Sequence, residues 1–194
     1  MNAALRSLLS KRRGAGIAFQ TIDNFESGKS SKNDDRGIIL VSVALFEQLL
    51  EDAILIRCLK SFEKGALRDS LFSGNPEAGG AVSSLAGKII LGHALRLYGP
   101  QAKEDFDRLR RIRNVAAHSK ARLTFNSPAI KDAVASFNLL SGGKFEGPRT
   151  KTAKGKFLTT CGVSMIFLSV IKTRMRRMRT YRPRLGPKNA FFYD

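Results

Sequence analysis

Three residues near the middle of the chain carry side chains that could act together on a phosphate ester. Arg113, Asn114 and His118 lie within the segment RLRRIRNVAAHS. An imidazole can take or give a proton near neutral pH, so His118 could serve as a general base or acid. Arg113 could balance the charge that develops on phosphate, and Asn114 could position a substrate group. A structural role is equally open, because His118 could interact with its helix end and Asn114 could bridge helices.

A second interpretation places Arg113 inside the protein. With residues spaced by 100° on a helix over Ala102–Ser119, Arg113 falls on the same apolar arc as Phe106. Asp52 falls on the apolar stripe of the preceding long helix in the same way. A buried guanidinium must find an anion, so we expect Asp52 and Arg113 to form a buried structural ion pair. Arg113 and His118 lie about 140° apart around the helix, and the catalytic interpretation therefore requires Arg113 to face a cleft.

The elements that position these residues are predicted to be helices. The stripe of Ile38, Leu45, Leu49 and Ile56 predicts a long first helix. Gly and Pro residues then divide the chain, and nothing alternates with period 2 for long enough to form a sheet. The expected fold is an all-α, up-and-down bundle of about five helices. The predicted helices span Ile38–Leu59, Val82–Tyr98, Ala102–Ser119, Pro128–Leu140 and Lys156 to about Arg179, with a possible short extended piece at Arg122–Phe125.

A chain of 194 residues fits one domain with extensions. We expect a basic N-terminal arm over residues 1–33, a helical bundle over residues 34–179, and a basic and aromatic tail over residues 180–194. The first 22 residues contain no acid, which is typical of an organellar transit peptide and equally of a frayed basic arm. The apolar run Phe157–Ile171 is shorter than the ~20 residues that span a bilayer, so we interpret it as a core helix and expect no membrane partner.

Positive charge is concentrated at the C-terminal end. Of the net +18, residues 141–194 contribute +11, with 13 Lys and Arg against 2 Asp and Glu. This pattern favours salt-sensitive binding of DNA or RNA, although a protein partner or solubility alone remains an alternative. The candidate nucleic-acid-binding residues are Lys172, Arg174, Arg176, Arg177, Arg179, Arg182 and Arg184.

Other features predict little further chemistry. Cys58 and Cys161 have no His or Cys neighbours at ligand spacing, so the sequence predicts no disulfide scaffold, metal or cofactor and favours a reducing, cytoplasmic location. His93 is interpreted as a satisfied core or interface residue. Glu47 and Glu51 are expected on a solvated face.

A second apolar side of the first helix predicts burial against another helix or a second protomer, as in a homodimer; it comprises Val43, Phe46, Leu50 and Ile54.

The same residues resemble known families. Arg113, Asn114 and His118 are similar to the R-x4-6-H signature of the HEPN superfamily, whose ribonucleases act without metal and pair two protomers. A wider set resembles the mannitol operon repressor family over about residues 34–140. This set comprises Asp35-Arg36, Leu71-Phe72-Ser73-Gly74, the segment Ser83–Ile89, His93-Ala94-Leu95, Ile112-Arg113-Asn114, Ala117-His118-Ser119, Phe125 and Pro128.

The resemblance implies an all-helical transcriptional regulator that lacks a recognisable DNA-reading motif. The chain departs from that family at Val115 and Ala116, where an acid and an aromatic residue are usual, and in its basic C-terminal extension. Two functions follow as hypotheses. The first is a non-enzymatic regulatory protein that associates with nucleic acid or a regulatory protein. The alternative is a dimeric, metal-independent endoribonuclease that uses His118, Arg113 and Asn114.

Overall fold

The computed structural model describes Asn24 and residues 35–58, 64–73, 80–141 and 147–180. Within these residues the fold is all-α, with six α-helices, two short 3-10 turns and no strand. The predicted all-helical class is therefore confirmed. The helices are α1 (Asp35–Cys58), α2 (Lys64–Phe72), α3 (Leu85–Ala94), α4 (Pro100–His118), α5 (Pro128–Ala135) and α6 (Ala153–Thr180).

Helix α1 is the central element of the bundle. It packs against α6, α4 and α3, and more weakly against α2. Phe46 of α1 contacts the ring of Phe106 with centroids 4.7 Å apart, and Tyr98 meets the same ring at 4.6 Å. Each large apolar side chain buried in this way contributes about 1.5–3 kcal/mol to folding. The second apolar side of α1 is fully buried within the single chain, so another helix covers it and no second protomer is needed; its residues are Val43, Phe46, Leu50 and Ile54.

Helix α3 is shorter than the sequence pattern predicts. The prediction extends it to Tyr98, whereas the helix ends at Ala94. Arg96 has a positive φ of 55°, its backbone N–H donates to the carbonyl of His93, and the N–H of Leu97 donates to that of Gly92. This pair of bonds is a Schellman motif, which satisfies the last carbonyls of a helix.

The reversal after α3 brings Tyr98 back onto the helix. Its hydroxyl donates to the carbonyl oxygen of Ile89 at 2.8 Å. A Cβ at Gly92 would lie 2.6 Å from the Tyr98 hydroxyl oxygen, so only glycine permits this approach. Gly99 and Pro100 then begin α4 with Pro100 at a first-turn position, which uses the missing N–H of proline where no helical bond is needed.

The first turn of α1 holds the segment that follows α4. The guanidinium of Arg36 donates to the carbonyl of Ser119, directly after the last residue of α4. The carboxylate of Asp35 accepts from the backbone N–H of Phe125 at 3.0 Å. The extended piece considered at Arg122–Phe125 does not form a strand. The pair Asp35-Arg36 thus fixes the position of the helix end that carries His118.

Helix α5 also ends before its predicted limit. It spans Pro128–Ala135, and residues up to Leu140 form a separate 3-10 turn, Asn138–Leu140. Asp105 of α4 explains the break, because its carboxylate accepts from the backbone N–H groups of Asn138 and Leu139, both at 2.8 Å. Tertiary hydrogen bonding replaces the helical continuation that the sequence pattern favours.

Helix α6 combines a core segment with the basic segment. Ala153–Ile171 is the one stretch of the described helices long and apolar enough to cross a bilayer, with a mean hydropathy of 1.3, and half of it is buried in the bundle, as in a core helix. The same helix continues without a break to Thr180. Except for Asn24, the predicted N-terminal arm lies outside the described residues, as do residues 181–194 of the tail.

Candidate functional site

Arg113 and Asn114 lie together at a small cavity. Both side chains are half-buried, and Arg113 Nη1 donates to Asn114 Oδ1 at 3.3 Å. The cavity has a volume of about 220 Å³ and is bounded by α1, α4 and the start of α3. Its other lining residues are Glu47, Ser83, Ser84, Leu85, Ala86 and Arg110. The structure therefore joins two of the three candidate catalytic residues with the Ser83-Ser84 segment that the sequence also singled out.

The predicted Asp52–Arg113 ion pair is wrong. Asp52 Oδ1 binds Arg68 Nη2 at 2.5 Å, and its side chain is 28% exposed rather than buried. Arg113 makes no ion pair with a described residue. The physical reason is that Arg68 lies on α2, a helix that the sequence pattern did not reveal, and this nearer cation takes the Asp52 carboxylate.

A buried lysine was missed from the sequence. The Lys88 side chain is only 5% exposed, and its ammonium group binds the carboxylates of both Glu47 and Glu51, the latter at 2.7 Å. It also lies 5.6 Å from the ring centre of Phe72. Glu47 and Glu51 therefore face a buried cation, and the expectation of a solvated face is wrong.

This cluster connects three helices. Glu51 also binds Arg68 Nη1 at 3.1 Å, so α1 supplies the acids while α2 and α3 each supply a cation. A buried charge is tolerated only when it is paired in this way. The signal for Lys88 was present in the sequence, since Leu85, Lys88, Ile89 and Gly92 follow the i, i+3, i+4, i+7 spacing of one buried face.

The second guanidinium of the cavity belongs to Arg110, which is already engaged. Arg110 Nε binds Asp107 Oδ1 at 3.3 Å, and Lys103 binds the other oxygen at 2.9 Å. Burial alone would raise the pKa of Asp107, but hydrogen bonds and charge from Lys103 and Arg110 outweigh it and hold the pKa below its usual range. Of the two guanidinium groups in the described lining, Arg113 is thus the one that makes no ion pair with a described carboxylate.

His118 lies apart from Arg113. It is the last residue of α4 and is exposed. Five residues of helix separate it from Arg113 by about 7.5 Å along the axis and about 140° around it, and it is absent from the described lining of the Arg113 cavity. One chain therefore does not assemble the imidazole, the guanidinium and the carboxamide at one point.

Other nucleophiles and metal ligands are sparse in the part of the chain that the structure describes. No group of three or more His, Cys, Asp or Glu residues there could hold a metal ion. His93 Nδ1 lies 3.1 Å from the carbonyl oxygen of Tyr98, which is a structural contact. Burial raises the pKa of the Cys58 thiol more than Arg57 lowers it, and burial also raises that of Cys161. Neither thiol is activated as a nucleophile.

The predicted nucleic-acid-binding residues fall partly on α6. Lys172, Arg174, Arg176, Arg177 and Arg179 lie on its C-terminal turns, whereas Arg182 and Arg184 are outside the described residues. By helix geometry, Lys172, Arg176 and Arg179 share one face at i, i+4 and i+7.

Comparison of the chain with protein-family models, curated protein sequences and solved structures gives no match.

Proposed function

We propose that the protein is a non-enzymatic regulator, similar to the mannitol operon repressor family within a HEPN-like architecture, that works in the cytoplasm. It associates with nucleic acid through the basic segment, residues 172–184. One observation carries the proposal. Helix α6 is anchored in the core by Phe157, Cys161 and Leu168, all fully buried, and continues unbroken into the turns that carry the cations.

The charge of this segment supports a polyanionic partner. Seven Lys and Arg residues and no acid occur between Lys172 and Arg184. Each phosphate that they neutralise releases a counterion, which contributes about −0.9 to the slope of log affinity against log salt for duplex DNA. A helix that is anchored at one end presents several of these charges without the entropy cost of ordering a free chain. Binding is therefore expected to be tight at low salt and to weaken steeply as salt rises.

The geometry at α4 favours the non-enzymatic hypothesis over the ribonuclease alternative. Metal-independent cleavage of RNA needs a base within reach of the 2′-hydroxyl and a cation at the same phosphate. Exposed His118 lies about 7.5 Å along α4 and about 140° around it from Arg113, and it is not among the described lining residues of the Arg113 cavity. A composite site would need these residues from two chains, so the ribonuclease alternative depends on a dimer.

The test compares two triple variants of equal charge change. Arg174, Arg176 and Arg177 are replaced by Gln in one variant; Lys120, Arg122 and Lys131, which are exposed on the body, are replaced by Gln in the control. Fluorescence anisotropy with labelled duplex DNA and single-stranded RNA is measured over a range of salt. For duplex DNA, we expect the slope of log affinity against log salt concentration to be shallower by about two to three in the first variant than in the wild type. The control variant should keep the wild-type slope. Equal losses in both variants would assign the binding to net charge and contradict the proposal.

The same RNA, incubated with a chelator and examined on a denaturing gel, tests the alternative. We expect intact RNA with the wild type and with His118→Ala. Cleavage by the wild type that disappears in His118→Ala would overturn the non-enzymatic part of the proposal and establish a ribonuclease that depends on His118.

A further inference from the structure

A second, larger cavity lies at the opposite end of α4 from His118. Its volume is about 600 Å³, which is within the range of small-molecule sites. It opens between the end of α5, the 3-10 turn Asn138–Leu140, a second 3-10 turn over Pro148–Lys151, and the start of α6. Its described lining includes none of the candidate catalytic residues and none of the five candidate nucleic-acid-binding residues that lie on α6.

One side of this cavity is apolar and firmly held. Val134 and Phe137 are 1% and 2% exposed, and Leu140 and Pro148 extend the apolar surface. The turn that carries Leu140 is fixed by Asp105, whose side chain is 4% exposed and which also binds Arg108 at 2.7 Å. These contacts preform the apolar wall, which lowers the entropy cost of binding a ligand.

The other side carries two lysines and, in its described lining, no carboxylate. Lys151 is exposed and Lys156 is half-buried, and both line the cavity. Neither lysine forms an ion pair with a described residue, and the described lining contains no carboxylate. A partly desolvated ammonium group gains free energy when an anion approaches it, because screening by water is reduced there.

The hydroxyl hydrogens of Thr150 and Ser141 in the described lining are already donated to backbone carbonyls. Thr150 Oγ1 accepts from the N–H of Gly147 and donates to its carbonyl, both at 3.0 Å. Ser141 Oγ donates to the carbonyl of Asn138 at 2.6 Å. The two ammonium groups are therefore the side-chain donors of the described lining that are left for a ligand, which favours an anionic group that only accepts hydrogen bonds.

We propose that this cavity binds a small amphipathic organic anion, with an aromatic or aliphatic body against Val134, Phe137 and Leu140 and an anionic group at Lys151 and Lys156. The proposal does not depend on nucleic-acid binding. Lys156 and Arg174 are separated by about 27 Å of α6, so one small ligand cannot contact both the cavity and the basic segment.

The probe is 8-anilinonaphthalene-1-sulfonate, which has an aromatic body and one anionic group and whose fluorescence rises in an apolar site. The full chain is titrated, and we expect one dye per chain. Lys151→Gln/Lys156→Gln is expected to weaken binding about tenfold or more, as expected for charge-assisted contacts. The control Lys120→Gln/Lys131→Gln removes the same charge from exposed positions and is expected to leave the affinity unchanged.

Two further arms make the outcome decisive. The neutral analogue N-phenyl-1-naphthylamine should bind the wild type more weakly than the sulfonate does and should not distinguish the two variants. Excess duplex DNA should not displace the sulfonate. Equal weakening in both double variants, several dyes per chain, or displacement by DNA would each overturn the proposal. Lys151→Gln alone, at an exposed position, gives the same comparison should Lys156→Gln disturb folding.

Discussion

Two neighbouring cations, Lys88 and Arg113, show how differently similar residues can be used. Both lie near Glu47, yet Lys88 is enclosed by Glu47 and Glu51, whereas Arg113 donates to the amide oxygen of Asn114 and makes no ion pair with a residue that the structure describes. The first arrangement neutralises a buried charge and stabilises the contact of α1 with α3. The second leaves a guanidinium at the surface of a cavity. The angle of a residue around its helix indicates the burial of Lys88 but not the half-buried position of Arg113, because depth depends on which helices cover that face.

Tyr98 supplies a prediction of pH dependence. Its phenol is 6% exposed and donates to the Ile89 carbonyl. Burial, with a further contribution from the negative charge of Asp107, raises its pKa well above the usual value of about 10. The unfolded chain therefore loses this proton first as pH rises. The contribution of the neutral Tyr98 phenol to the free energy of unfolding is therefore fully present below about pH 10. Above that pH it decreases by at most about 1.4 kcal/mol per pH unit.

Replacement of Tyr98 by Phe separates this effect from the titration of the many lysines. At pH 7 we expect Tyr98→Phe to reduce the free energy of unfolding by about 1 kcal/mol, the usual worth of one such hydrogen bond. Above about pH 10 the difference between wild type and variant should shrink, because only the wild type has this phenol to keep neutral. Urea unfolding over pH 7 to 11 measures both values. A difference that stays constant or widens would contradict the assigned pKa shift.

Among the elements, the helices with long, regular apolar stripes were predictable from sequence. Helices α1, α4 and α6 each begin and end within about three residues of the predicted limits. Helix α2 was missed because it has only nine residues, includes Gly65, and shows a short apolar pattern at its end. The missed helix also explains the wrong ion pair: without α2, Arg68 was not available as a partner for Asp52.

The limits of α3 and α5 depended on contacts that sequence periodicity does not contain. Helix α3 ends because the chain reverses to place Tyr98 against Gly92, and α5 ends because Asp105 binds the next two N–H groups. The candidate site shows the same division. The separation of His118 from Arg113 around the helix could be calculated from the sequence, whereas the cavity that Arg113 and Asn114 line depends on how α4 packs against α1 and the start of α3.

The Schellman motif after α3 gives a prediction at this scale. Arg96 adopts a left-handed backbone conformation, with φ of 55°, and its side chain is exposed. A Cβ in this conformation is strained, while glycine adopts it freely at the cost of a more flexible unfolded chain. We expect Arg96→Gly to stabilise the protein by about 0.5 kcal/mol in urea unfolding. Arg96→Ala is the control, since it removes the same charge but keeps the Cβ; an equal gain in Arg96→Ala would attribute the effect to charge.

Across the whole molecule, charge is divided between two roles. Residues 34–119 hold 12 Lys and Arg against 11 Asp and Glu, and many of these charges pair with each other between or along helices. The C-terminal quarter holds a large unbalanced excess of positive charge. Paired charges in a packed body determine stability, whereas unbalanced charge at the end of a long helix determines long-range attraction. Variants of the two classes should therefore affect different measurements.

Lys88 provides the counterpart of the α6 triple variant. Lys88→Met keeps the length of the side chain but leaves Glu47 and Glu51 partly buried without the ammonium group that both bind, so we expect the free energy of unfolding to fall by about 3 kcal/mol. Exposed Lys131→Met is the control and should change it by less than about 0.5 kcal/mol.

The affinity of folded Lys88→Met for duplex DNA should equal that of the wild type, because the Lys88 ammonium group is enclosed by Glu47 and Glu51 and is therefore not available to phosphate. The Arg174, Arg176 and Arg177 to Gln variant should show the reverse pattern: an unchanged urea midpoint and a lost salt slope. The urea midpoint and the salt dependence of DNA affinity are measured in the same buffer for Lys88→Met, for the control Lys131→Met and for the triple variant of α6. If Lys88→Met loses DNA affinity while it remains folded, or if the triple variant unfolds at lower urea, charge is not divided in this way, because one set of residues then serves both stability and binding.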